Sequence, residues 1–470
     1  MEVISKPSLI WYLLAYAIIM VFLGIRSSQK INNSEDFILA GRGLGAFVLM
    51  GTLIATWCGS GTITGGPNSL AYSYGFWTAV SQSSVEVIGI LFLVIIANKI
   101  RENGKYTISE ILQEKYGEGA RILSVIIIVM AYLGIVSYQY KGLGYILNVA
   151  TGIDVELATI LGTILIIFLA TVGGLMSVAL TDAMSAFFIV IGVIIGAPVA
   201  MSMAGGWDNA MATLPKDSSI LGGLTPLQFI GYIVPALFLL LGDQNMYQRL
   251  SASKGKNETK LGAIGWLIGI LVIYPAVAVI AFAARVNFPD INPGMALIAT
   301  TTIMPTFIGG LMLAAAAAFI VTTGNSFLLS AATSVTYDIY GRYINPSASE
   351  EKKLKIIKII IPILGVLAFI IINYFSQILE VQMYAYTVYG AGITPAVLAV
   401  FLWKDVTKEA GISSMLVGVT TTLVWEIILK KPMDLNSSVV SIPIAIITII
   451  IVTFLTRNKN KTSNIHEVNG

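Results

Sequence analysis

The chain is cut into apolar runs of about 18–25 residues, the length a helix needs to cross a hydrocarbon core ~30 Å thick, and short charged segments separate them. That pattern predicts an all-α, polytopic membrane protein, and hydropathy marks about 13 candidate spans. Those used below are span 1 (Leu9–Ile25), span 2 (Leu44–Tyr74), span 3 (Trp77–Ala97), span 4 (Ile122–Val149), span 6 (Ala183–Met203), span 7 (Leu227–Tyr247), span 9 (Met304–Tyr337) and span 11 (Tyr384–Leu402). Only 11% of the 470 residues are charged, against about a quarter in soluble proteins. The longest polar stretches, Arg26–Arg42 and Arg342–Lys355, are too short to fold alone. The expectation is therefore one transmembrane unit over residues 1–456, with its core at about 43–403, and a polar, disordered cytoplasmic tail over 457–470.

Charge distribution orients the chain. With the N-terminus outside and 13 spans threaded, about 22 of the Lys and Arg residues fall inside and about 5 outside, the bias that cytoplasmic loops carry. Lys141 stays within a span. The C-terminus is then expected in the cytoplasm of a cell-membrane protein.

The inventory excludes several chemistries. One cysteine, Cys58, forbids an intrachain disulfide. One histidine, His466, lies in the tail, so a transition-metal or haem site or a Ser-His-Asp triad in the core is not expected. Paired catalytic carboxylates are not evident, which argues against an enzyme. No basic patch interleaved with aromatics suggests nucleic acid, and no obligate protein partner is evident; the surroundings called for are the lipid bilayer.

Span 2 is too long for one crossing, and its middle, Gly59-Ser60-Gly61 through Gly65-Gly66-Pro67, is poor in helix formers. Carbonyls unpaired at that depth are tolerated where they line a cavity or bind an ion. Span 7 has a weaker interruption, Pro235 and then Gly242-Asp243-Gln244-Asn245. The two starts lie five spans apart, as expected of two five-helix inverted repeats, spans 2–6 and 7–11, each opening on a discontinuous helix at a midplane solute site. The competing reading is that these glycines only let helices pack closely.

At these residues the sequence resembles the sodium:solute symporter family, which includes proline, pantothenate, choline, sialic acid and sugar symporters. The marks are Phe37-Ile38-Leu39-Ala40-Gly41-Arg42-Gly43-Leu44-Gly45, Tyr106-Thr107-Ile108-Ser109-Glu110, Gly173-Gly174-Leu175 with Thr181-Asp182, Asp243-Gln244 with Gln248-Arg249, and Tyr337-Asp338-Ile339-Tyr340. The resemblance implies a LeuT-type 5+5 inverted-repeat fold, alternating access, and sodium as the co-transported ion. It implies a sodium site at Ala55, Cys58, Phe319, Thr322 and Thr323, where Phe319 replaces the family's usual small residue. Neutral oxygens of this kind suit a hard cation; the alternative for the threonines is bonding back to their own helical turn. A second sodium would sit at Asp182, Thr322, Asn325 and Ser326, unless Asp182 simply caps span 6.

Two charges lie within spans, Glu86 in span 3 and Lys141 in span 4, at a cost of ~2.5–3.5 kcal/mol each on insertion scales. Either they pair, or Lys141 meets a carboxylate on the solute, or Lys141 takes part in coupling. Trp57 follows Ala-Thr as in choline-type members, but Asp243 and Ile135 stand where further cage aromatics would be needed; Trp57 is otherwise a gate or a packing residue. The expected solute contacts are Trp57, Gly59, Ser60 and Gly61 on span 2, Gln139 and Lys141 on span 4, and Asp243, Gln244 and Tyr247 on span 7. The expected activity is sodium-coupled import of a small organic solute, with a carboxylate suggested by Lys141. The rivals are proton-coupled or sodium-independent transport through Lys141, and a passive channel.

Overall fold

The computed structural model describes residues 5–28, 34–214 and 221–468. Lys30 and Lys216, counted in the charge distribution, lie outside the described residues, as do the side chains of Gly173, Gly174, Leu175 and His466. The fold is 86% helical without a strand among the described residues. Among the described residues, eleven helices are long and apolar enough to cross a membrane, or twelve when one sharply bent pair counts as a single span. The first helix, Ile10–Ser28, is not among them and contributes only the shorter apolar stretch Pro7–Ile19, so the count of 13 remains an expectation.

The bent pair is span 2. Helices Ala46–Trp57 and Gly61–Tyr74 meet at 54°. The first ends at Cys58, whose ψ of 46° leaves the helical region, with its N–H still bonded to the Ile54 carbonyl at 2.8 Å. A second irregularity follows at Gly65 and Gly66, where ψ is −126° and −94°. Pro67 then opens the second half at a position where a missing N–H is harmless. The half-helix Ala46–Trp57 packs against Val155–Met203, Lys256–Asn287 and Thr306–Ser334, which bury it from Gly51 onward.

Span 7 is interrupted more mildly. Helix Pro226–Gly242 hands over to Gln244–Ser251 through Asp243, which is extended (ψ 117°) and caps the second piece by accepting from the Asn245 N–H. The two halves still read as one span, Pro226–Ser251, without a bend above 40°. A further interruption was not expected: span 11 divides into Ile378–Gly392 and Thr394–Leu402 at Ile393, just before Pro395. Its helix also begins six residues ahead of the expected Tyr384. The tail needs correcting too. The last helix runs Ser438–Val468, so the backbone from 457 to 468 continues a helix that its polar composition alone did not suggest.

One end of the bundle is closed by polar ties. Asp338 accepts from Arg121 at 2.6–2.8 Å and from Thr107 at 3.0 Å. Gln244 donates to Ser330 and Ser334 at 2.9 Å each and accepts from the Ile108 N–H at 2.9 Å, fastening the short helix Ile108–Tyr116 to Thr306–Ser334. At the opposite end, a cavity of about 340 Å³ is lined by Tyr74, Tyr232, Leu379, Glu380 and Met383, among others.

Candidate functional site

The break in span 2 can be followed group by group. In an unbroken helix the Ser60 N–H would bond to the Thr56 carbonyl; here it donates to Gln139 Oε1 at 2.8 Å. The freed carbonyls turn to Thr323, whose hydroxyl lies 2.9 Å from the Ala55 oxygen and 3.2 Å from that of Thr56. Gly59 makes this approach possible, since a Cβ there would overlap the Thr323 side chain. The neighbouring Thr322 hydroxyl donates to the Phe319 carbonyl at 3.2 Å. All of these residues are buried. Three backbone carbonyls and two hydroxyls thus lie at the junction of the broken helix with Thr306–Ser334. Each hydroxyl hydrogen now serves a carbonyl. By rotating about its C–O bond, a hydroxyl presents a lone pair instead, so the same oxygens can receive a cation. Cys58 sits buried at the bend, and the bulk of Phe319 fits because its side chain is completely enclosed.

Two of the residues considered for a second ion, Asp182 and Ser326, join a charged network with Thr52 and Arg249. Asp182 Oδ2 accepts from Thr52 at 2.6 Å and lies 3.9 Å from Arg249 Nη2. Arg249 also donates to Thr52 at 3.0 Å and to Ser326 at 2.6 Å. Asp182 Oδ1 and Asn325 Oδ1 are buried without a hydrogen-bond partner. Arg249 was known to the sequence only as part of a motif; its placement against Asp182 needed the fold.

Of the expected solute contacts, Trp57, Gly59, Ser60, Gly61 and Gln139 come together at the break. The Ser60 hydroxyl donates to the Tyr138 carbonyl at 3.1 Å. Gly61 is enclosed by Gln382, Tyr386 and Tyr138, so closely that a Cβ would lie 2.9 Å from the first two. Four expected residues go elsewhere. Gln244 belongs to the closed end described above, and the Tyr247 hydroxyl donates to the Leu241 carbonyl at 3.0 Å. Lys141 donates to the carbonyls of Ser376 at 2.8 Å and Phe375 at 3.4 Å. Asp243 accepts from Tyr132, whose ring stacks on Tyr389.

Glu86 and Lys141 do not pair. Glu86 instead accepts from Trp57 Nε1 at 2.8 Å, Tyr274 at 2.5 Å and Gln82 at 3.1 Å. Trp57 in turn stacks on Tyr386 with centroids 6.3 Å apart. Sequence reasoning missed Gln382, Tyr386, Gln82 and Tyr274. Gln382 fell before the expected start of span 11, although Gln382, Tyr386 and Tyr389 recur at the spacing of one helical face.

Comparison with known proteins decides the family. The model of the sodium:solute symporter family matches residues 37–418. The chain belongs to this family. Its members are transporters rather than enzymes, with sodium as the co-transported ion. An osmoregulated proline transporter of Bacillus subtilis is 23% identical over 95% of each chain, and a sodium/glucose cotransporter of Vibrio parahaemolyticus is 26% identical over 88% of this chain and 83% of its own. A sodium-coupled sialic acid symporter, solved in a substrate-bound outward-open state, superposes with a TM-score of 0.81 at 20% identity, covering 96% of this chain and 97% of that one. The symporter described here thus has the LeuT-type fold and is a multi-pass membrane protein.

Proposed function

We propose that this symporter binds sodium between the carbonyls of Ala55 and Cys58 and the Phe319, Thr322 and Thr323 oxygens, and moves a small organic solute held at Trp57, Gly59, Ser60, Gly61 and Gln139 by alternating access. One observation carries the reading: the Thr323 hydroxyl bridges the carbonyls that the break in span 2 releases, at 2.9 and 3.2 Å. An ion there ties the broken helix to Thr306–Ser334, so it has a different affinity for states in which these two helices are together or apart. That difference is what coupling requires.

A second sodium at Asp182, Thr322, Asn325 and Ser326 is supported by the unpartnered oxygens of Asp182 and Asn325 and opposed by the Arg249 guanidinium 3.9 Å from Asp182. The charge bias of the loops supports an external N-terminus and a cytoplasmic C-terminus. The closed end that holds Arg121 and Asp338 is then the cytoplasmic one, and the 340 Å³ cavity opens outward. Residues 1–456 are read as one transport unit. A carboxylate on the solute loses its support, because Lys141 is occupied by loop carbonyls. The same observation removes the support for Lys141 as a proton carrier.

The test is uptake by proteoliposomes holding the purified protein, with amino acids, carboxylates, nucleobases and sugars offered in turn. An inward sodium gradient is expected to drive accumulation of one class above equilibrium, and an equal potassium gradient is not. Equilibration without accumulation under either gradient would establish a channel. Accumulation driven by a pH gradient without sodium would establish proton coupling, and either result overturns the reading.

A further inference from the structure

Four carboxylates are buried in the transmembrane core, and three have their charge answered. Asp338 meets Arg121, Asp182 faces Arg249, and Asp243 caps the positive end of helix Gln244–Ser251. Glu86, 5% exposed, is the exception. No basic side chain lies within ion-pair distance of it among the described residues, and its three partners, Trp57, Tyr274 and Gln82, are neutral donors. A carboxylate so deep in a membrane protein ordinarily faces a partner or a pathway.

The surroundings of Glu86 lead toward the solute. Gln82, one turn along the same helix, donates both to Glu86 and, at 3.4 Å, to the carbonyl of Tyr232, a wall of the 340 Å³ cavity. On the other side Trp57 carries the connection into the break, where its ring stacks on Tyr386 and Tyr386 borders Gly61. Oε2 of Glu86 already accepts two bonds and Oε1 only one, so Oε1 retains a lone pair. The site therefore combines a carboxylate without a counter-charge and the aromatic rings of Trp57 and Tyr386, a pairing that suits an organic cation.

We infer that the transported solute carries a protonated amine and that Glu86, flanked by Trp57 and Tyr386, is the residue that recognises it. The inference rests on the symport reading and narrows its solute class. Glu86 positions the ammonium group, and the neutral polar surface at Ser60, Gln139 and Gln382 takes the remainder of the molecule.

The experiment is thermal stabilisation of the purified protein, first by sodium against potassium with no solute, then in sodium with matched pairs that differ in the ammonium group. The pairs are alanine and lactate, proline and tetrahydrofuran-2-carboxylate, ethanolamine and ethylene glycol. Sodium alone is expected to stabilise, which tests the symport reading by itself. At least one ammonium compound is expected to stabilise further, at a concentration tenfold or more below its oxygen partner. The Glu86→Gln variant is expected to keep the sodium response and to lose at least tenfold in apparent amine affinity. If Glu86→Gln does not fold, the paired titrations on the unaltered protein decide alone. Stabilisation by no ammonium compound, equal response to both members of every pair, or loss of the sodium-only response in Glu86→Gln each overturns the assignment. The last outcome would mean that the charge serves the ion or the fold.

Discussion

Replacing Thr323 by valine removes one oxygen and preserves the shape of the side chain. In the ion-free protein the lost hydroxyl spans the carbonyls of Ala55 and Thr56, and a neutral hydrogen bond of this kind contributes about 1 kcal/mol net. In the ion-bound protein the same oxygen contacts a full positive charge, and contacts of that strength contribute about 1.5–3 kcal/mol. Only the difference changes affinity, since both states lose the oxygen. That leaves about 0.5–2 kcal/mol, or roughly 2–30-fold weaker sodium binding at 1.4 kcal/mol per decade. Thr323→Ser keeps the oxygen and should bind sodium almost as the unaltered protein does. The assay is radiolabelled sodium binding to detergent-purified protein without solute, which avoids any confusion with effects on transport rate. An unchanged dissociation constant in Thr323→Val, or an equal loss in Thr323→Ser, would refute the assignment of this oxygen to the ion. A lower melting temperature in both sodium and potassium would show only that the carbonyls need a donor.

Two further predictions follow from the geometry. Gly59→Ala places a methyl group inside the Thr323 side chain; the overpacking should cost about 1–3 kcal/mol and separate the two helices, so melting temperature falls and sodium no longer raises it. Asp338→Asn leaves Arg121 buried beside a neutral amide, a change that costs about 3–5 kcal/mol when a buried pair is broken; labelling of a cysteine introduced at Ser330 should become faster from the side on which this end opens, and unaltered labelling would show that this pair does not hold that end closed.

The elements that reached the surface of the sequence were those with a composition to mark them. The break in span 2 was legible because Gly59, Gly61, Gly65, Gly66 and Pro67 crowd where a membrane helix should hold leucine and valine. The site that grows on it was legible only in part, because what each freed carbonyl meets is decided by a helix more than 260 residues away. The Ile393 break escaped notice because its marks, Gly390, Gly392, Thr394 and Pro395, are few and sit in an otherwise largely apolar run. Lys141 misled for a related reason. Hydropathy places a charge at a depth but not on a side of its helix, and Lys141 lies on the side that meets the Phe375–Ser376 loop. Glu86, equally isolated in the sequence, lies on the side that meets Trp57. Two charges with the same hydropathy signature therefore have different surroundings, and only packing separates them.

The same packing gives a physical account of how ion and solute would share one event. On span 2 the oxygens read as the sodium site begin at Ala55 and end at Cys58, and the residues read as the solute site begin at Trp57 and end at Gly61, so both readings draw on the one short stretch that crosses the break. Ser60 is held through Gln139, and Ala55 and Thr56 through Thr323. These contacts belong to two different helices, Glu118–Thr151 and Thr306–Ser334. An ion that draws the carbonyls toward Thr323 therefore fixes the backbone from which the Trp57 ring and the Ser60 and Gly61 amides project. The solute then finds that backbone already ordered and does not bear the cost of ordering it, and by linkage the ion gains the same factor from the solute. A coupling of 1–3 kcal/mol, typical of linked sites and about 5–150-fold in affinity, is within reach of one ordered loop and needs no longer path through the protein.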